Sequence, residues 1–247
     1  MWSPETIALV AVTFLIAGLV KGVVGLGLPT VALALLTATL GLKEAIALML
    51  IPSLVTNIWQ GVVGGALGAI VRRLWPLFAM ACIGTWFGTV VLARGDAAVL
   101  SGVLGVLLSF YAATSLATPQ IPPPGRWEPW LSPSVGALGG LATGMTGSFV
   151  VPGVLYLQAL GLPRDVLVQA MGVTFTVLTV ALAAALGGQG LLRADVGLMS
   201  ALALVPAATG MVLGQRVRRR LSEDLFRRVF FAALLILGLY IIARAFL

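Results

Sequence analysis

Histidine is absent from this 247-residue chain, cysteine occurs once, and charged residues make up only 9 % of it. Each shortage closes off a class of function. Without histidine, and with Cys82 alone, neither a soft metal site nor a Cys/His nucleophile pair can be assembled, so the sequence calls for no metal and no cofactor. Cys82 can form no intrachain disulfide and reads as a small buried hydrophobe. The scarcity of charge excludes a soluble domain, which would need far more polar surface than this chain can supply.

Apolar residues are abundant, at 60 % of the chain. Mean hydropathy is +1.10. Apolar blocks run over 6–40, 45–71, 74–93, 97–117, 131–161, 166–188, 196–214 and 229–246. This is the pattern of an all-α, polytopic membrane protein with about eight helical blocks. The opening MWSPETIALVAVTFLIAG has no basic stretch before its apolar run and reads as a first membrane element, not as a removed signal. The net charge of +7 is concentrated at Arg216, Arg218, Arg219, Arg220, Arg227 and Arg228. Beside an apolar block such a cluster is a positive-inside signal facing anionic lipids, and nucleic acid is not an expected partner.

The first and fifth blocks exceed 30 residues, too long for one straight crossing of a hydrocarbon core of roughly 30 Å. Both contain their own interruption, GLVKGVVGLGLP at Gly18–Pro29 and TGMTGSFVVPG at Thr143–Gly153. Between the fourth and fifth blocks, Thr118–Trp130 holds five prolines with Trp127 and Trp130, which suits a linker at the membrane surface. The expected organisation is an N-terminal repeat over 1–117, a Pro-rich linker over 118–130 and a C-terminal repeat over 131–247. The two halves share an ordered signature: Gly22 and Gly25 answer to Gly144 and Gly147, Pro29 to Pro152, Leu40–Leu42 to Leu160–Leu162, and Glu44 to Asp165. Internal repeats with interrupted helices in matching positions point to a secondary transporter and its binding site.

Non-helical chain at membrane depth is tolerated only inside the protein or along an aqueous cavity. Gly22, Gly25 and Gly27 permit a tight path, Pro29 suits a first helical turn, and Lys21 adds a positive charge that costs roughly 3 kcal/mol at membrane depth. Together they form a basket for an anion. The second interruption repeats the device without the lysine, with Thr143, Thr146 and Ser148 around Gly144 and Gly147 and with Pro152 opening the next helix. Asn57, Gln60, Gln169, Thr174 and Thr176 are candidates for lining a substrate route, with interhelical hydrogen bonding as the plainer reading. Pro52 and Pro206 are candidate kinks for a gate.

Two threadings compete. If every block crosses once, the basic residues outside the first interruption divide five against nine. If the first and fifth blocks enter and return on one side, Arg72, Arg73, Arg126, Arg164 and the six late arginines oppose Lys43, Arg94, Arg193 and Arg244, ten against four. The second obeys the positive-inside bias better and makes the halves inverted.

The doubled glycine-rich, proline-ended signature, with Gly18–Pro29 and Gly139–Pro152, resembles the TauE/SafE group of sulfite and organosulfonate exporters over nearly the whole chain. The first signature departs from the glycine-dense form in having Leu26 and Leu28, and the resemblance assigns Lys21 no role. It implies a multi-pass carrier, not an enzyme, in a plasma membrane such as a bacterial inner membrane. Its substrate would be a small organic or inorganic anion: sulfite, an organosulfonate or a carboxylate. The coupling ion and direction stay open, a homodimer is compatible with the sequence, and the alternative is a membrane scaffold or assembly protein that transports nothing.

Overall fold

A computed structural model describes residues 2–25, 27–117, 121–218 and 223–246. Leu26, the linker residues Thr118–Gln120, and Arg219 and Arg220 of the basic cluster lie outside the described residues. The described residues are all-helical, with no strand among them. In chain order the helices are α1 (Pro4–Val24), α2 (Leu28–Thr39), α3 (Leu42–Val62), α4 (Leu67–Arg94), α5 (Ala97–Ala117), α6 (Glu128–Thr146), α7 (Leu155–Ala159), α8 (Arg164–Gly188), α9 (Ala194–Arg218) and α10 (Glu223–Phe246). Seven of these, α1, α3, α4, α5, α8, α9 and α10, are long and apolar enough to cross a membrane. The protein is a polytopic membrane protein whose first and fifth apolar blocks are broken where the glycines and prolines fall.

Local chemistry sets these boundaries. α1 starts under Ser3, whose side chain accepts the Thr6 N–H at 3.2 Å, with Pro4 in the first turn, where its missing N–H costs nothing. It stops at Gly25, which takes a left-handed φ of 85° and donates to the Lys21 carbonyl at 2.8 Å. α6 stops in the same way: Gly147, at φ 76°, donates to the Thr143 carbonyl at 2.7 Å. Two boundaries differ from expectation. α6 begins at Glu128, inside the expected linker, because Pro129 is tolerated in a first helical turn. The second and third blocks meet at Gly64 and Gly65, both with positive φ, so Arg72 and Arg73 sit within α4 and not in a connection.

The chain forms two compact units, each drawing on both halves of the sequence. The first comprises Met1–Pro52, Ala97–Ala117 and Leu192–Leu247; the second comprises Ser53–Asp96 and Thr118–Leu191.

In the first unit α1 and α9 pack as a parallel pair with backbones nearly touching. Leu15, Gly18, Leu19 and Gly22 meet Ala207, Gly210, Met211 and Gly214 in ascending register. α5 and α10 run antiparallel, Gly102 against Phe246 and Tyr111 edge-on to Phe231 at 5.4 Å. α2 folds back along α1. Gly27 lies beside Val20, while Leu40, at the far end, shares a cavity of about 420 Å³ with Trp2, Ser3 and Thr6. The first block is therefore a hairpin that begins and ends at one end of its unit. Glu44, Arg193 and Asp195 line that cavity, and Arg244 donates to the Ala38 carbonyl nearby.

The second unit builds the same arrangement from other segments. α6 and α4 run parallel, Ala137, Gly140, Leu141 and Gly144 meeting Ala81, Gly84, Thr85 and Gly88. At the start of the pair, Arg73 and Glu128 form a two-pronged ion pair at 2.6 and 2.8 Å. Tyr156 of α7 lies within electrostatic reach of Ser132, Glu128 and Arg73, so the fifth block also doubles back toward its own beginning. α8 starts at this same end, where Gln169 reaches Gly61 and Ala66.

Candidate functional site

Lys21, Gly22, Gly25 and Gly27 come together at the tip of the α1–α2 hairpin. Lys21 occupies the last turn of α1 and is 4 % exposed, its amine enclosed by protein. Gly22 and Gly18 press against α9, so the helix face one residue from the lysine is fixed by backbone contact. After Gly25, Gly27 takes a φ of 108° and α2 begins with Leu28 and Pro29. Gly27, the N-cap residue, has no side chain with which to cap that start. Its first N–H groups and the positive end of a 12-residue helix therefore follow directly on the buried lysine's hairpin tip.

Thr143, Gly144, Thr146, Gly147 and Ser148 form the tip of the α6–α7 hairpin in the second unit. The three hydroxyls are not equivalent. Thr143 donates to Gly139 at 2.8 Å and Thr146 to Ala142 at 2.7 Å, both back into α6. Each spends its one proton on a backbone carbonyl and keeps only lone pairs. Ser148 is buried, and its Oγ has no partner among the described residues. A buried hydroxyl in that state is costly unless something arrives to use it.

Beyond Ser148 the chain does not resume as a regular helix. Val151 is extended (φ −124°, ψ 127°), as the residue before a proline prefers, and Pro152 leads through a π turn into α7, only five residues long. Phe149 fills the hairpin, close to Gly139 and Gly153 and edge-on to Phe175 at 6.4 Å. The second tip therefore lacks both the cation and the longer helix of the first. Its resources are the Ser148 hydroxyl and backbone amides.

Gln60 and Gln169 are committed to holding helices together. Gln60 Nε2 donates to the Val168 carbonyl at 2.7 Å, and Gln169 Nε2 donates to Gly61 at 2.9 Å while its Oε1 accepts the Ala66 N–H at 2.9 Å. The pair fastens the end of α3 to the beginning of α8 and closes the turn into α4. Thr174 and Thr176 bond back to Ala170 and Gly172, each at 2.7 Å. Asn57 is fully buried in α3. Pro52 and Pro206 lie inside α3 and α9.

Thr85 is a further polar residue by the second tip that sequence reasoning passed over. Its carbonyl abuts Gly144, and its own buried hydroxyl has no partner among the described residues. The available signal was the Gly84–Thr85 and Gly88–Thr89 spacing, which repeats every four residues along α4.

No curated protein and no solved structure matches this chain. The family model described as sulfite exporter TauE/SafE matches residues 10–241, from the first turns of α1 to near the end of α10. With broken hairpins of matching construction and seven apolar helices of spanning length within that range, the chain belongs to the TauE/SafE sulfite exporter family of membrane transporters.

Proposed function

We propose that this family member is a secondary transporter of small anions, of the sulfite, organosulfonate or carboxylate class, working by alternating access with its recognition chemistry at the two hairpin tips. The observation that carries the reading is Lys21, a buried lysine in the turn that precedes the glycine-capped start of α2. An anion there would gain a charge-assisted hydrogen bond and a favourable helix end together. Ser148 adds a donor of the kind an oxyanion needs, while Thr143 and Thr146 turn their hydroxyls back onto the α6 carbonyls.

The inverted arrangement of the halves belongs to the same proposal. Each hairpin returns to its starting end within its own unit. α3, which leads from the first hairpin to the second unit, is long and apolar enough to cross a membrane. Inversion of the halves, the relation that alternating access between repeats uses, is therefore part of what is proposed.

Thermal unfolding of the purified protein against sulfite, sulfate, sulfoacetate, taurine and simple carboxylates tests the reading. A ligand at 100 times its Kd stabilises the folded state by about 2.7 kcal/mol. A selective upward shift is expected for one anion class. Folded protein that responds to none of them supports the scaffold alternative.

A further inference from the structure

Pro52 stands at the middle of α3 and has no N–H, so the Leu48 carbonyl one turn earlier loses its usual helical donor. In the first unit that carbonyl is not left bare. Ser200 of α9, 152 residues away in sequence, donates its hydroxyl to Leu48 O at 2.7 Å. The same Ser200 Oγ accepts the Ile51 N–H at 3.2 Å. Ser200 is 1 % exposed, so no solvent competes for either bond. One hydroxyl thus takes the place of the missing donor at Leu48 O and also accepts from Ile51, the residue before the proline, a role a side chain inserted into a helical ladder can fill.

The position of this bridge gives it meaning. The chain passes from the first compact unit to the second between Pro52 and Ser53, without leaving α3. A helix that must change shape during a transport cycle would do so at its missing rung. We propose that Ser200 is a positioning residue for transport: its hydroxyl completes the α3 ladder across Pro52 and holds the helix in one shape where the chain changes units. The part concerning transport rests on the transporter reading above, whereas the ladder repair does not depend on it.

A double-mutant cycle separates the two. Alanine at position 52 restores an N–H that can reach Leu48 O and leaves Ser200 nothing to repair. Ser200→Ala is expected to lower the unfolding midpoint by about 3–8 °C in the native background and by less than about 1 °C when combined with Pro52→Ala. Ser200→Thr, which keeps the hydroxyl, should retain the native midpoint to within about 2 °C. In proteoliposomes, Ser200→Ala should reduce the maximal sulfite flux about five-fold while the half-saturating concentration changes less than about two-fold, because the site at the hairpin tips is untouched. Should Ser200→Ala not fold alone, the ladder repair requires that the Pro52→Ala/Ser200→Ala protein fold. Equal losses in both backgrounds, or a double variant that fails to fold, would overturn the proposal. An intact cycle in stability with unchanged flux would overturn the role in transport alone. If native protein moves no anion, the transporter reading fails, and the stability cycle still decides the ladder repair.

Discussion

Gly22 of α1 and Gly214 of α9 occupy each other's side-chain space: a Cβ on Gly22 would lie 2.9 Å from the Gly214 Cα, and one on Gly214 would lie 3.0 Å from the Gly22 Cα. Gly88 and Gly144 stand in the same relation in the other unit, where a Cβ on Gly88 would lie 2.9 Å from the Gly144 Cα. Gly214→Leu and Gly88→Leu should therefore each force a helix pair apart. A destabilisation of about 2–4 kcal/mol is expected from overpacking against rigid backbone, seen as a drop of roughly 5–15 °C in the unfolding midpoint. Gly68→Leu, at a position with open space around its Cα, serves as the control and should change it little.

Lys21→Met keeps the length of the side chain and removes its charge. Burial of Lys21 means the apolar substitute fits the same enclosure, so expression and folding should persist. Anion affinity, measured by thermal shift or calorimetry, should fall about 10- to 100-fold, the range for losing a hydrogen bond to a charged partner. Lys21→Arg should recover part of this, since a planar guanidinium does not replace a compact ammonium in a closed site. Native affinity in Lys21→Met would move the anion site away from this tip.

The second tip ranks its hydroxyls. Ser148→Ala should weaken anion binding about 3- to 10-fold, whereas Thr146→Val should have a smaller effect, because the Thr146 proton is already spent on Ala142. Titration of both variants with one anion is the measurement, and the reverse order would remove Ser148 from the site.

Topology can be read chemically. Of single cysteines at Lys43 and Arg164, in a Cys82→Ala background, the first should react with a membrane-impermeant thiol reagent in intact cells and the second only after permeabilisation, which places Arg164 on the cytoplasmic side. Labelling of both without permeabilisation would overturn the inverted arrangement.

The Arg73–Glu128 pair, with side chains 41 % and 23 % exposed, should contribute little despite its good geometry. A double-mutant cycle with Arg73→Met and Glu128→Gln is expected to give a coupling of about 0.5–1 kcal/mol in unfolding free energy, falling as salt is raised.

Much of the fold was legible because its decisive residues act locally. Gly25, Pro29, Gly147 and Pro152 impose their backbone preferences on adjacent residues, so both breaks fall where the sequence places them. The turn at Gly64 and Gly65 was missed, since two arginines only seven residues further on looked like the more obvious end of an apolar block. The commitments of Gln60, Gln169 and Ser200 were illegible for a different reason. Their partners are backbone groups more than 100 residues away, and a carbonyl carries no sequence signal. The unequal hydroxyls of the second tip belong to the same class, being decided by rotamer and not by residue type.

The pairing of α1 with α9 also governs how the protein is made. The residues that meet Gly18 and Gly22 are encoded about 190 positions later, so at about 5–20 residues per second the ribosome needs roughly 10–40 s to deliver them. Through that interval Gly18 and Gly22 are without the α9 residues they meet in the finished fold, while α4 acquires α6 much sooner. The expected order of assembly follows from the chain: the unit containing α4 and α6 closes first, and the one begun by the first helix is completed last.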